Sequence, residues 1–193
     1  MTRLRAIVAG ALLGVGGSAV IAAVPPLPTS SGWEADSLDH LFVQLGNARS
    51  ETEAEAIEAR IWELWSRSGR PEVDSLLRAG ILATSVERYD EALRLFDIVI
   101  DRAPEFAEGW NKRATVHYLR GDLEEAQRDI DRTLELERRH FGALAGLGLI
   151  FLSIGDDRAA LGTFERVLEI NPASSATRHQ IALLRSRMGY RST

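Results

Sequence analysis

Four histidines, His40, His117, His140 and His179, are the side chains of this sequence best suited to metal ligation or proton transfer, and their spacing supports neither. No two stand in an H-E-x-x-H arrangement, and without a single cysteine in 193 residues a structural zinc site lacks its usual ligands. The same absence removes disulfide frameworks, iron–sulfur ligation, thiol nucleophiles and the lipidated cysteine of a bacterial lipoprotein. The chain has no Gly-x-Ser-x-Gly elbow for a serine nucleophile, and no Walker loop or Gly-x-Gly-x-x-Gly after a strand for a nucleotide. The acidic pairs Glu124-Glu125 and Asp156-Asp157 open predicted helices, where the helix dipole favours negative charge. Arg138-Arg139-His140 closes one, where cations are expected for the same reason. No catalytic residue, metal ligand or cofactor is therefore assigned, and action by binding is expected.

The composition says what must carry that action. With 45% hydrophobic and 26% charged residues, a chain of this length can bury a core as one domain or one short repeat array. The net charge is −5, and the first 33 residues hold Arg3 and Arg5 with no acid, which leaves about −7 on the rest. That balance excludes a general nucleic-acid binder. Met1 to Arg5 is basic, Ala6 to Val24 carries no charge, and Gly17-Ser18-Ala19 sets small residues where a signal peptidase reads them. Residues 1–23 are expected to be a signal peptide cleaved after Ala19, or an N-terminal anchor if uncleaved. Either way the following chain is exported, to a periplasm or to the outer side of an inner membrane. Residues 24–35, rich in proline and serine, read as a linker.

From Asp36 onward the apolar residues recur at helical spacing, and no strand-like alternation interrupts them. Asp36 is placed to cap a helix with the stripe Leu38, Leu41, Phe42 and Leu45, ending at Gly46. Ser50 to Glu53 forms a capping box for a second helix with Ile57, Ile61, Leu64 and Trp65 buried and Gly69 as its stop. Further helices are predicted near 72–86, 88–102, 106–120, 122–137, 140–154, 156–170 and 173–188, nine in all. Gly80, Ala114 and Gly148 are 34 residues apart, as are Ala92, Ala126 and Ala160, and Phe96, Ile130 and Phe164. Gly121-Asp122 and Gly155-Asp156 pair a helix-ending glycine with a capping aspartate.

This period, with Leu144, Leu147, Gly148, Phe151, Ala160, Phe164 and Pro172 at successive pattern positions, resembles the tetratricopeptide repeat family. Trp110, Ala114 and Ala126 carry the pattern in the middle unit; His117, Ile130 and Arg138 stand there for tyrosine, phenylalanine and proline. The resemblance implies an all-α, right-handed superhelical solenoid of antiparallel helix pairs. Its units run 73–106, 107–140 and 141–174, with a capping helix at 175–189. The pair at 36–69 lacks the phase and is expected to stack on the N-terminal end as a divergent pair.

The family's mode of action implies a ligand in the concave face, a protein or peptide of the cell envelope, held by the first helix of each unit. Carried over position by position, the contacts would be Arg78, then Asn111, Lys112, Thr115 and Tyr118, then Leu149 and Leu152, and His179 in the cap. Asn111 could pair with an extended backbone, Lys112 with a carboxylate, and Tyr118 could offer flat contact area. Members that clamp a C-terminal carboxylate bring cations at positions 2 and 6 of the third unit. Gly142 and Gly146 stand there instead, which points to a more apolar ligand such as a helix. Leu149 and Leu152 could equally pack on neighbouring helices. A soluble adaptor and a membrane-tethered assembly factor both fit; oligomeric state is left open.

Overall fold

The computed structural model describes residues 37–189, which form nine α-helices and no strand. The expected signal or anchor, the linker and the Asp36 cap lie outside the described residues. The helices are α1 (Leu38–Gly46), α2 (Glu51–Trp65), α3 (Pro71–Ser85), α4 (Tyr89–Arg102), α5 (Ala107–Arg120), α6 (Leu123–Leu136), α7 (Phe141–Ser153), α8 (Asp157–Ile170) and α9 (Ser175–Arg187). Local chemistry accounts for most of these boundaries. Ser37 caps α1 by accepting from the His40 N–H, and Ser50 caps α2 by accepting from the Glu53 N–H. The Glu53 carboxylate reaches back to the Arg49 N–H, one residue before the cap that a capping box would address. Helix α2 ends at Trp65 rather than running to Gly69, which takes a φ of +77° in the turn to α3.

Helices α3 to α8 make three hairpins related by 34 residues. The left-handed turn recurs at the same interval, at Glu87, Gly121, Gly155 and Gly189, with φ of 61°, 90°, 81° and 78°. Of the two expected aspartate caps, Asp156 accepts from the Ala159 N–H, whereas Asp122 makes no cap bond and instead pairs with Arg120 at 3.0 Å. Inside each hairpin a small residue lets a large one in. A Cβ on Gly80 would fall 2.5 Å from the Phe96 ring, and one on Gly148 would fall 2.8 Å from Phe164. In the middle unit Ala114 and Ile130 take these two positions and are buried in one cluster, a methyl added on one helix and a smaller side chain on the other. Between units, the Arg113 guanidinium grips Asp129 with two bonds of 2.8 Å and Asp97 with one of 2.7 Å, joining α4, α5 and α6. The Asp129 bonds, helped by Asp97, hold that guanidinium above even its usual high value.

The first helices of successive units, α3, α5 and α7, approach one another more closely than the second helices do, so the solenoid curves toward them. The N-terminal pair corrects an expectation. It does not stack on α3, whose outward row of Ser75, Ala79, Leu82 and Val86 stays exposed, Leu82 by 66%. Leu41, Phe42 and Leu45 of α1 and Ala54, Ile61 and Trp65 of α2 share one buried cluster with Phe141 and Leu144 of α7 and Val167 of α8. The hairpin is folded back onto the third unit.

Candidate functional site

Helix α2 has apolar or aromatic residues at Ala54, Ile57, Ile61, Trp62 and Trp65, a single stripe at helical spacing. That stripe is laid across the first helices of the repeats. At one end Glu51 bonds Ser175 at the start of α9, and two helical turns further on Glu58 bonds Asn171 at the end of α8. Burial pushes the Glu58 carboxyl above its ordinary value against the pull of the Asn171 bond, with Glu55 and Glu51 adding to the rise. In the middle, Trp62 covers Gly142, where a Cβ would fall 2.5 Å from the ring. At the other end Ser66 faces Ile81 of α3. Helix α2 therefore runs along the concave face from the cap back to the first unit, opposite to the order of the repeats.

Beneath the tryptophans lies a charged cluster. Trp65 stacks on the His140 imidazole, with centroids 4.0 Å apart and planes within 6°, and Trp62 meets the same ring edge-on at 5.5 Å. His140 is wholly buried and begins α7, its Nδ1 accepting from the Ala143 N–H. Nε2 therefore carries the proton and donates it to Glu108 Oε2 at 3.1 Å. Glu108 also receives Asn111 Nδ2 at 3.0 Å and pairs with Lys112 Nζ at 2.9 Å, and Lys112 sits 4.8 Å from the Trp62 ring centroid. Burial alone would raise the Glu108 carboxyl; the Lys112 ammonium and the His140 bond outweigh it and hold it below the ordinary value. On the rim, Arg139 pairs with Asp39 of α1 at 2.7 Å and lies over Phe42 at 4.2 Å.

The residues carried over as ligand contacts divide accordingly. Asn111, Lys112 and Thr115 sit on the first helix of the middle unit but are each only 2% exposed, which corrects their reading as an open polar row. Asn111 and Lys112 serve Glu108, and Thr115 bonds the Asn111 carbonyl of its own helix. Tyr118 is half-buried with its hydroxyl 3.4 Å from Ser153, while Leu149 and Leu152 pack against the cluster of Ala160, Phe164, Ile181 and Leu184. Arg78 and His179 are exposed and stand apart from the charged cluster. From the sequence alone Trp65 is only part of a buried stripe and His140 only a helix-end residue, and Glu108 and Trp62 carry no assignment. The signal for them was a Trp-x-x-Trp pair set against glycines at the two positions where the resemblance called for long cations.

Similarity to known proteins agrees with this architecture. A tetratricopeptide repeat family model matches residues 77–127 and 120–175. A TPR repeat-containing protein of Rhizobium etli is 34% identical over 151 residues, covering 78% of this chain and 74% of its own. Among solved structures, the first TPR of Spaghetti (RPAP3) bound to an HSP90 peptide superposes with a TM-score of 0.58 at 20% identity, over 61% of this chain and 93% of that one. The crystal structure of MamA gives 0.58 at 16% identity, over 86% and 88%.

Proposed function

The chain belongs to the tetratricopeptide repeat family, and from that premise we propose that it is a non-catalytic protein-binding scaffold of the bacterial cell envelope. It holds a peptide segment or helix of a partner protein against its concave face. One observation carries this reading: the concave face is already shaped around a helix, with a glycine under one indole, an imidazole under the other and a buried acid–base cluster between. A surface with such a seat binds a protein segment by side-chain anchors, in the helix-in-groove manner. The HSP90 peptide bound by the RPAP3 domain supports the use of this kind of face for a protein ligand. Export rests on Arg3 and Arg5 followed by the uncharged stretch from Ala6 to Val24.

Two measurements test the proposal. Residues 1–35 fused to a reporter active only outside the cytoplasm should give signal, and charged residues at Leu12 and Leu13 should abolish it; signal from both fusions argues against export. A photo-crosslinking residue at Arg78, on the rim of the concave face, should capture a discrete partner in the native cell. The same probe at exposed Arg166 on α8 should not. Equal capture at both positions, or none, contradicts the scaffold reading, and the intact mass of the recovered protein tells adaptor from tethered factor.

A further inference from the structure

Resting on the scaffold reading, we infer that the α1–α2 hairpin is a resident occupant of the binding face, and that the partner is an amphipathic helix which displaces it by presenting two aromatic residues three positions apart. The chemistry of the seat defines that helix. The seat offers Gly142 without a side chain, so that a ring lies directly on the backbone of α7, and the flat face of His140 one helical turn away. Rings at i and i+3 on one helix reach both, as Trp62 and Trp65 do. A carboxylate one turn earlier reaches the Asn171 amide, as Glu58 does. An extended peptide, with side chains alternating to opposite faces, would not place two rings and a carboxylate on this seat.

The resident hairpin fits well enough to occupy the seat and imperfectly enough to leave it. The Trp65 indole N–H is buried with no acceptor among the described residues, and the Asn171 side-chain amide oxygen is buried with no donor among them. Either group left unsatisfied weakens the docked state relative to a ligand that satisfies it. Burial disfavours the ionised form of Glu58 at its docked position. A cavity of about 180 Å³ remains where α2 crosses the first unit, bounded by Trp62, Ser66, Ile81, Glu108 and Lys112, and gives an incoming side chain a place to start. The turn from Ser66 to Arg70, with Gly69 at φ +77°, is the sole covalent connection between the hairpin and the repeats among the described residues. The hairpin can swing away on it while the 34-residue packing of the repeats stays intact.

The test uses the full chain and a fluorescent peptide of residues 50–67 as a stand-in for the partner helix. Because the chain has no cysteine, Glu51→Cys and Ser175→Cys can be bridged by a short bismaleimide, which fixes α2 to the cap where the two side chains already touch. The peptide should bind the unbridged form, and bridging should weaken that binding at least tenfold. In the unbridged Trp62→Ala/Trp65→Ala protein, whose resident helix has lost its anchors, the peptide should bind at least tenfold more tightly than to the parent. A peptide carrying the same two alanines should not bind. Equal binding to bridged and unbridged protein, or no binding to the double variant once circular dichroism shows its repeats folded, overturns the inference. In-cell capture of one partner by both bridged and unbridged protein sinks the displacement model but leaves the scaffold reading standing, whereas no capture by either sinks the scaffold reading.

Discussion

The solenoid and its N-terminal hairpin use one physical device in two ways. In the repeats, Gly80 admits the Phe96 ring and Gly148 admits Phe164; in the groove, Gly142 admits Trp62 at the same 2.5 to 2.8 Å that an added Cβ would violate. The first two contacts each join the helices of one hairpin and take the same position of the 34-residue repeat, which Ala114 and Ile130 fill in the middle unit. The third joins a segment outside the repeat to one position inside it and has no copy. A glycine–aromatic contact thus builds the scaffold where it is periodic, and closes a binding face where it is not.

The largest effect should come from the charged cluster under the hairpin. Glu108→Gln takes the carboxylate from beside a buried ammonium, which costs about 3–5 kcal/mol if the ammonium stays buried. Undocking of α2 would let water reach Lys112 and cap that loss at the free energy of hairpin docking. Chemical denaturation together with limited trypsin cleavage at exposed Arg67 separates the outcomes: early cleavage with stable repeats means release, and one cooperative loss means the hairpin is integral to the fold.

Next come the two kinds of glycine. Gly148→Val should lower the stability of the repeats by about 1–3 kcal/mol through overpacking against Phe164. Gly142→Val should leave the unfolding of the repeats nearly unchanged while the tryptophan emission shifts to the red as Trp62 and Trp65 meet water. Equal losses of global stability in the two variants would erase the distinction between scaffold and occupant.

Acid should act on the occupant's seat first. The Glu108 carboxyl is held below its ordinary value, so the stability it contributes is complete above about pH 4.3 and is lost as pH falls through its lower folded-state value. Glu58 has the opposite sign: its raised value makes docking most favourable at low pH and less so as pH rises through it. A titration of tryptophan emission should therefore show a release limb on the acid side, and the Glu108→Gln protein should lack it. The smallest effect is confined to the scaffold. Glu87 holds the left-handed turn that glycine holds at 121, 155 and 189, so Glu87→Gly should raise stability by about 0.5–1 kcal/mol, read as a higher denaturation midpoint.

The split between periodic and unique contacts also decides what the sequence made legible. Helix ends from α3 to α9 fall within about two residues of those expected from caps, glycines and prolines, because each unit repeats its own punctuation. Gly80, Ala114 and Gly148 could be placed at helix crossings by their spacing alone. The hairpin's position could not, since an amphipathic pair with no phase says that it buries a stripe and not against what. From the sequence alone His140 is a helix-end cation, an ordinary local role, and Glu108 carries no assignment. Only the fold shows them facing each other at 3.1 Å, 32 residues apart. The glycines at 142 and 146 were visible as missing cations, but Trp62 supplies the reason for the first of them.

The central claim is that α2 lies along the concave face and does not stack on the first unit, and a distance measurement in solution tests it directly. Spin labels at Thr52 and Ala176, both exposed, should give a short and narrow distance distribution, because the adjoining Glu51 and Ser175 touch. Labels at Thr52 and Leu82 should give a longer one, because α2 must run most of its length before reaching α3. A Thr52–Ala176 distance longer than Thr52–Leu82 would put the hairpin on the N-terminal end of the solenoid and contradict the account.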